Sequence, residues 1–182
     1  MPDILLVILT QEAFDMTAPT LNHCFEAMDL MIQAEMTVAD FYLGCLECFP
    51  ENASFWSLLA KEELAHADII AKLAELVRIQ PGEFTIGNSI PLTAINSFIA
   101  RIRSDVDKVR HGELTEKDAF LIAYHIEGTV IELSYVEIIN TNNQTYLSLM
   151  NDVLADTMKH KKRVVKKLSQ TKSRRKTAKK PS

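Results

Sequence analysis

Apolar residues recur at intervals of three and four along most of this chain, the spacing that lines side chains up on one face of an α-helix. From about residue 22 to 48 the stripe is Met28, Ile32, Glu35, Ala39, Tyr42 and Leu46. After Phe49-Pro50-Glu51-Asn52 it resumes as Trp56, Leu59, Glu63, His66, Ile70, Leu73 and Val77, with Asn52 as the expected N-cap and Pro81-Gly82 as the stop. A third stripe begins near Thr115, with acids in its first turn, and carries Phe120, Tyr124, Glu127, Ile131, Ser134 and Ile138. Residues 140–144 read as a tight polar turn. A fourth stripe, from about residue 145 to 168, carries Met150, Val153, Thr157, His160, Val164 and Leu168.

A four-residue link makes the first two helices antiparallel neighbours. Residues 81–114 form a longer connection, irregular at first and then helical from Pro91 to about His111. The expected architecture is therefore all-α: an antiparallel four-helix bundle over residues 22–168 whose long crossover carries an extra helix. Residues 1–21 show no sustained period and end in Ala18-Pro19-Thr20, so they form an N-terminal arm with no assigned role. Beyond Ser169 the apolar pattern stops, and residues 169–182 read as a basic, disordered tail. With 182 residues, five glycines and six prolines, one domain of long helices suffices.

Charge sharpens the division. Residues 1–156 hold all 24 acids and eight Lys or Arg, whereas residues 157–182 hold the other twelve and no acid. Such a tail can neutralise phosphates on nucleic acid or on an anionic membrane, or fold back on its own acidic body. Nothing accompanies it that would read a base sequence. Cys24, Cys45 and Cys48 are too few for a disulfide framework, and Cys45 and Cys48 at a helix end read as two half-buried thiols. No apolar run reaches the length of a membrane span, and residues 4–9 are too short for a secretory signal, so a reducing cytoplasm is the expected compartment.

Each stripe is interrupted near its middle by a group that binds metal: Glu35, then Glu63 and His66 at i, i+3, then Glu127, then His160. One glutamate alone would read as a surface charge. Several on apolar faces would be costly in a core unless a cation satisfied them together, and carboxylates with imidazoles suit iron, manganese or zinc. One arrangement known to join such groups takes a Glu from each of two helices and Glu-x-x-His from the other two. Here the last helix offers Thr157-x-x-His160 instead. Tyr42, Tyr124 and Trp56 either line the metal cavity or are simply core aromatics, the commoner case, and His23, His111 and His125 read as structural or solvated.

The segment Ala34-Glu-Met-Thr-Val-Ala-Asp-Phe-Tyr42, followed by Phe49-Pro-Glu-Asn-Ala-Ser-Phe-Trp-Ser-Leu-Leu-Ala-Lys-Glu-Glu-Leu-Ala-His66, resembles the rubrerythrin branch of the ferritin-like superfamily. The likeness extends over about residues 22–168. It implies a ferritin-like bundle holding a di-iron site, a homodimer, an external electron donor, and chemistry with peroxide or oxygen. It also implies Glu35, Glu63, His66, Glu127 and His160 as ligands, with Glu63 bridging. Three departures stand out: Thr157 replaces the second bridging Glu, Val130 replaces a further Glu, and no rubredoxin-like module with paired Cys motifs is present. Asp156, one turn before His160, is a candidate substitute ligand. Two functions follow: a di-iron or mono-metal oxidoreductase or iron-handling protein, and a bundle with a degenerate site that serves in interactions or polyanion binding.

Overall fold

The computed structural model describes residues 20–87, 91–132 and 138–178, with side chains described to residue 129 in the second segment and to residue 170 in the third. The N-terminal arm before Thr20, Ile131 and Ser134 as face residues, and the last four residues of the tail lie outside what is described. Five helices fill most of the remainder: α1 Leu21–Cys48, α2 Ala53–Ile79, α3 Leu92–Arg110, α4 Glu116–Glu132 and α5 Gln144–Ala178.

Local chemistry sets the helix ends. Thr20 caps α1, its Oγ1 accepting from the His23 amide at 3.2 Å, and Phe49-Pro50 closes it. Thr115 and Asp118 cap α4 reciprocally, each side chain accepting from the other's amide. Asn143 Oδ1 accepts from the Tyr146 amide at 3.0 Å and starts α5. Gly112, at φ +70°, makes the left-handed turn between α3 and α4 that a side chain would strain. Gly44 serves packing: a Cβ there would meet Val109 Cγ1 at 2.7 Å, which is how α1 and α3 come so close.

α1 packs most extensively against α2 and then α3, while α5 packs against α4 and α2. Their shared interior buries Met28, Met31, Trp56, Leu59, Ile70, Leu73, Phe120 and Met150 among many others. None of the described helices is long and apolar enough to cross a membrane.

Four sequence expectations need correcting. Asn52 sits at the N-cap position of α2 but makes no capping bond. Its amide instead joins helices, donating to Glu116 Oε1 at 2.6 Å and accepting from Lys167 Nζ at 2.5 Å. The polar turn at 140–144 is partly a strand: β2 Ile139–Thr141 pairs antiparallel with β1 Phe84–Ile86, Phe84 opposite Thr141. β-Branched and aromatic residues fit that pairing, and it removes Ile138 from the helix. Tyr124 is not core, being 36% exposed with Lys161 Nζ 5.3 Å from its ring centre. Finally, α5 continues past Leu168 to Ala178, where Lys, Arg and Gln favour helix and no Gly or Pro interrupts before Pro181.

Candidate metal centre

The interruptions in the four stripes meet. Glu35 from α1, Glu63 and His66 from α2, Glu127 from α4 and His160 from α5 are each buried to 3% exposure or less. The helical repeat does this: in each helix the polar group lies in register with the apolar residues that pack inward.

Glu63 stands at the middle. Its Oε2 is 3.1 Å from His66 Nδ1, and its Oε1 is 2.9 Å from His160 Nδ1. Glu35 Oε2 lies 4.0 Å from the same nitrogen of His66, and Glu127 Oε2 lies 3.5 Å from that of His160. The two imidazoles stack with centroids 5.4 Å apart and planes 21° from parallel. The site thus divides into two halves, Glu35–His66 and Glu127–His160, with Glu63 presenting one oxygen to each. Among the described residues, Glu63, His66 and His160 bring ligand atoms within 4.8 Å of one another and could hold a metal ion.

Burial, then the charge of Glu63 and a hydrogen bond to it, then the charge of Glu127, hold the Glu35 carboxyl well above the usual carboxylate range, so that it keeps its proton. Burial and the charge of Glu63 push Glu127 up to about 7, against the pull of His160 and Tyr42. Burial works against ionised Glu63, yet the hydrogen bonds from His160 and His66 hold it down at about 2. Burial also works against a charged His160, but the carboxylates of Glu127 and Glu63 outweigh it and raise the imidazole to about 10.

A cation would change this arrangement. Among the described residues, both oxygens of Glu35 are buried without accepting a hydrogen bond, and Nε2 of His66 and of His160 is buried with no hydrogen-bond partner. Orphaned buried carboxylate oxygens are costly, and three carboxylates with two imidazoles form a donor set that suits a divalent transition metal. The residues therefore fit a metal.

Asp156 does not join the group; its carboxylate pairs with Lys159 at 2.7 Å near the surface, which holds its pKa down. Thr157 is buried beside the site, with its hydroxyl donating to the Val153 carbonyl at 3.0 Å. Three neighbours of the ligands were not assigned a role from sequence. Tyr42 donates to Glu127 Oε1 at 2.5 Å. Glu62 Oε2 lies 3.0 Å from His160 Nε2, close enough for ionic attraction though off the line a hydrogen bond needs. Arg163 reaches both oxygens of Glu62. The position of Tyr42, two turns after Glu35, could have revealed the first; only the fold brings Glu62 to His160.

Comparison with family models, with curated proteins and with solved structures gives no match in any of the three.

Proposed function

We propose that this chain is a rubrerythrin-like metal-binding protein of ferritin-like fold, holding two divalent cations, iron foremost, at Glu35, Glu63, His66, Glu127 and His160. The observation that carries this reading is Glu63 presenting one oxygen to each of two Glu–His pairs, beside a buried Glu35 whose oxygens accept no hydrogen bond. Loaded with iron, such a site supplies the redox couples needed to reduce peroxide or oxygen. The chain's own residues bind and orient: Glu63 is shared between the halves, Tyr42 holds Glu127, and the closed apolar packing excludes bulk water. Electrons would come from a separate donor protein, and a homodimer belongs to the same proposal.

Thr157 favours a second reading, a site that binds metal weakly and turns over little. Its hydroxyl is engaged with Val153 and carries no charge where the resemblance places a bridging carboxylate. The test is metal analysis of the full chain purified without oxygen. Glu63→Ala should lose more metal than Glu127→Ala, and Thr157→Glu should raise occupancy and any peroxidase rate. Protein that stays metal-free when offered iron, manganese and zinc removes the proposal.

A further inference from the structure

The two halves that share Glu63 are supported differently from behind. Glu127 is held by the Tyr42 hydroxyl at 2.5 Å. His160 is fully buried, and its Nε2 faces Glu62 Oε2 at 3.0 Å, while Arg163 grips both oxygens of Glu62. Around the other half no such support is found among the described residues. Nε2 of both imidazoles is without a hydrogen bond, but only that of His160 has a further carboxylate beside it; the oxygens of Glu35 accept no hydrogen bond, and Glu35 stands 4.0 Å from His66 Nδ1.

This difference bears on binding. Even without a straight hydrogen bond, a carboxylate beside one imidazole nitrogen favours the proton there by charge attraction, leaving the lone pair of the opposite nitrogen for a cation. For His160 the carboxylate is Glu62, at Nε2, and the opposite nitrogen is Nδ1, which faces Glu63 and Glu127. The bidentate contact from Arg163 fixes Glu62 in turn, tying α5 to α2 across the site. A ligand already held in its binding orientation loses less freedom when it binds.

Resting on the metal-centre reading above, we infer that the two halves bind unequally: Glu127–His160 takes the first cation, with Glu62 and Arg163 as its positioning pair, and Glu35–His66 fills second and more loosely. Glu62 is not a ligand in this scheme. It acts through His160.

Cobalt(II) titration of the full chain, followed by visible absorption and chelator competition, tests the order. The wild-type protein should bind in two steps at least about tenfold apart. Glu62→Gln should weaken the first step about 10–100-fold, the usual effect of losing a partner behind a ligand, alter its absorption bands and leave the second step in place. Glu62→Asp should restore part of the loss. Because Glu62 is a quarter exposed, its removal should not disturb helicity, which circular dichroism checks. His66→Ala should keep the tight step and His160→Ala should lose it. Equal steps, a tight step that needs His66 rather than His160, or a tight step unmoved in Glu62→Gln would each overturn the inference while leaving the metal centre intact. No cobalt uptake in any form removes both.

Discussion

Tyr42 stands between two interiors built on different principles. Its ring lies 5.9 Å from that of Trp56, which stacks on Phe120 at 4.7 Å and meets Phe55 edge-on at 5.0 Å. This aromatic end is close-packed apolar surface, and its one orphan is the Trp56 indole nitrogen. The Tyr42 hydroxyl points the other way, to Glu127 and a centre where three acids and two imidazoles share the same helices. The aromatic end stabilises the fold by its burial; in the acidic centre the desolvation of ionisable groups opposes folding, and their pairing with the imidazoles offsets part of that cost.

The comparison breaks if substitutions in the two regions act alike. Phe120→Ala removes a fully buried ring from the stack and should cost about 3–5 kcal/mol in denaturant unfolding, with Trp56 as the fluorescent reporter. Glu35→Leu should do the reverse to the metal-free protein. Burial holds Glu35 in its neutral form, so exchanging this buried polar group for an apolar side chain of similar size should be neutral or mildly stabilising. The same variant should lose metal. A Glu35→Leu protein destabilised as much as Phe120→Ala would show that the acids are structural.

Proton linkage sharpens the contrast, since only the acidic centre titrates near neutrality. His160 rises from 6.5 to about 10 on folding, so its contribution is complete below pH 6.5 and lost as pH rises toward 10. Glu127, raised from 4.5 to about 7, acts in the same direction, because burying its ionised form becomes costly above 4.5. Glu63, lowered from 4.5 to about 2, contributes above pH 4.5 and loses that contribution as pH falls toward 2. Metal-free protein should therefore be most stable near pH 4.5, weaken above it as the buried Glu127 and Glu35 are driven to ionise, and weaken further above pH 6.5 as His160 loses its proton. Metal-loaded protein should gain stability from acid to neutral pH, since ligation requires deprotonated carboxylates and neutral imidazoles. Thermal unfolding across pH, with and without metal, checks both; parallel profiles would count against a metal role.

Both regions were legible in the sequence to different depths. The 3.6-residue period placed Trp56, Phe120, Glu63 and His160 inward, because a helix face is a local property. Tyr124 failed the same test: it sits in register with Phe120 and Glu127, yet that part of α4 is half uncovered. No period could show that Glu62, one residue before Glu63, meets His160 across two helices, or that Asn52 would trade capping for contacts with Glu116 and Lys167. The β1–β2 pairing was hidden for a similar reason, since its strands are three residues each and some 55 residues apart.

The smallest expected effect on stability lies beyond both interiors, in the last part of α5. Four of the six earlier cations of that helix are already engaged: Lys159 with Asp156 of the same helix, Lys161 over Tyr124, Arg163 with Glu62, and Lys167 with Asn52. Deleting residues 170–182 leaves all four in place and touches no proposed ligand. It removes Lys172, Arg174, Arg175, Lys176, Lys179 and Lys180, and the segment contains no apolar stripe to pack. Unfolding free energy should change by no more than about 0.5 kcal/mol, as for surface changes in general, and metal content should hold. What the deletion should abolish is low-salt binding to duplex DNA. That binding in the full chain should be indifferent to sequence and fall steeply with salt, because it rests on displaced counterions. Equal binding by both forms would assign it to the body. Absence of binding in the full chain would mean that the 24 acids of the body neutralise the tail.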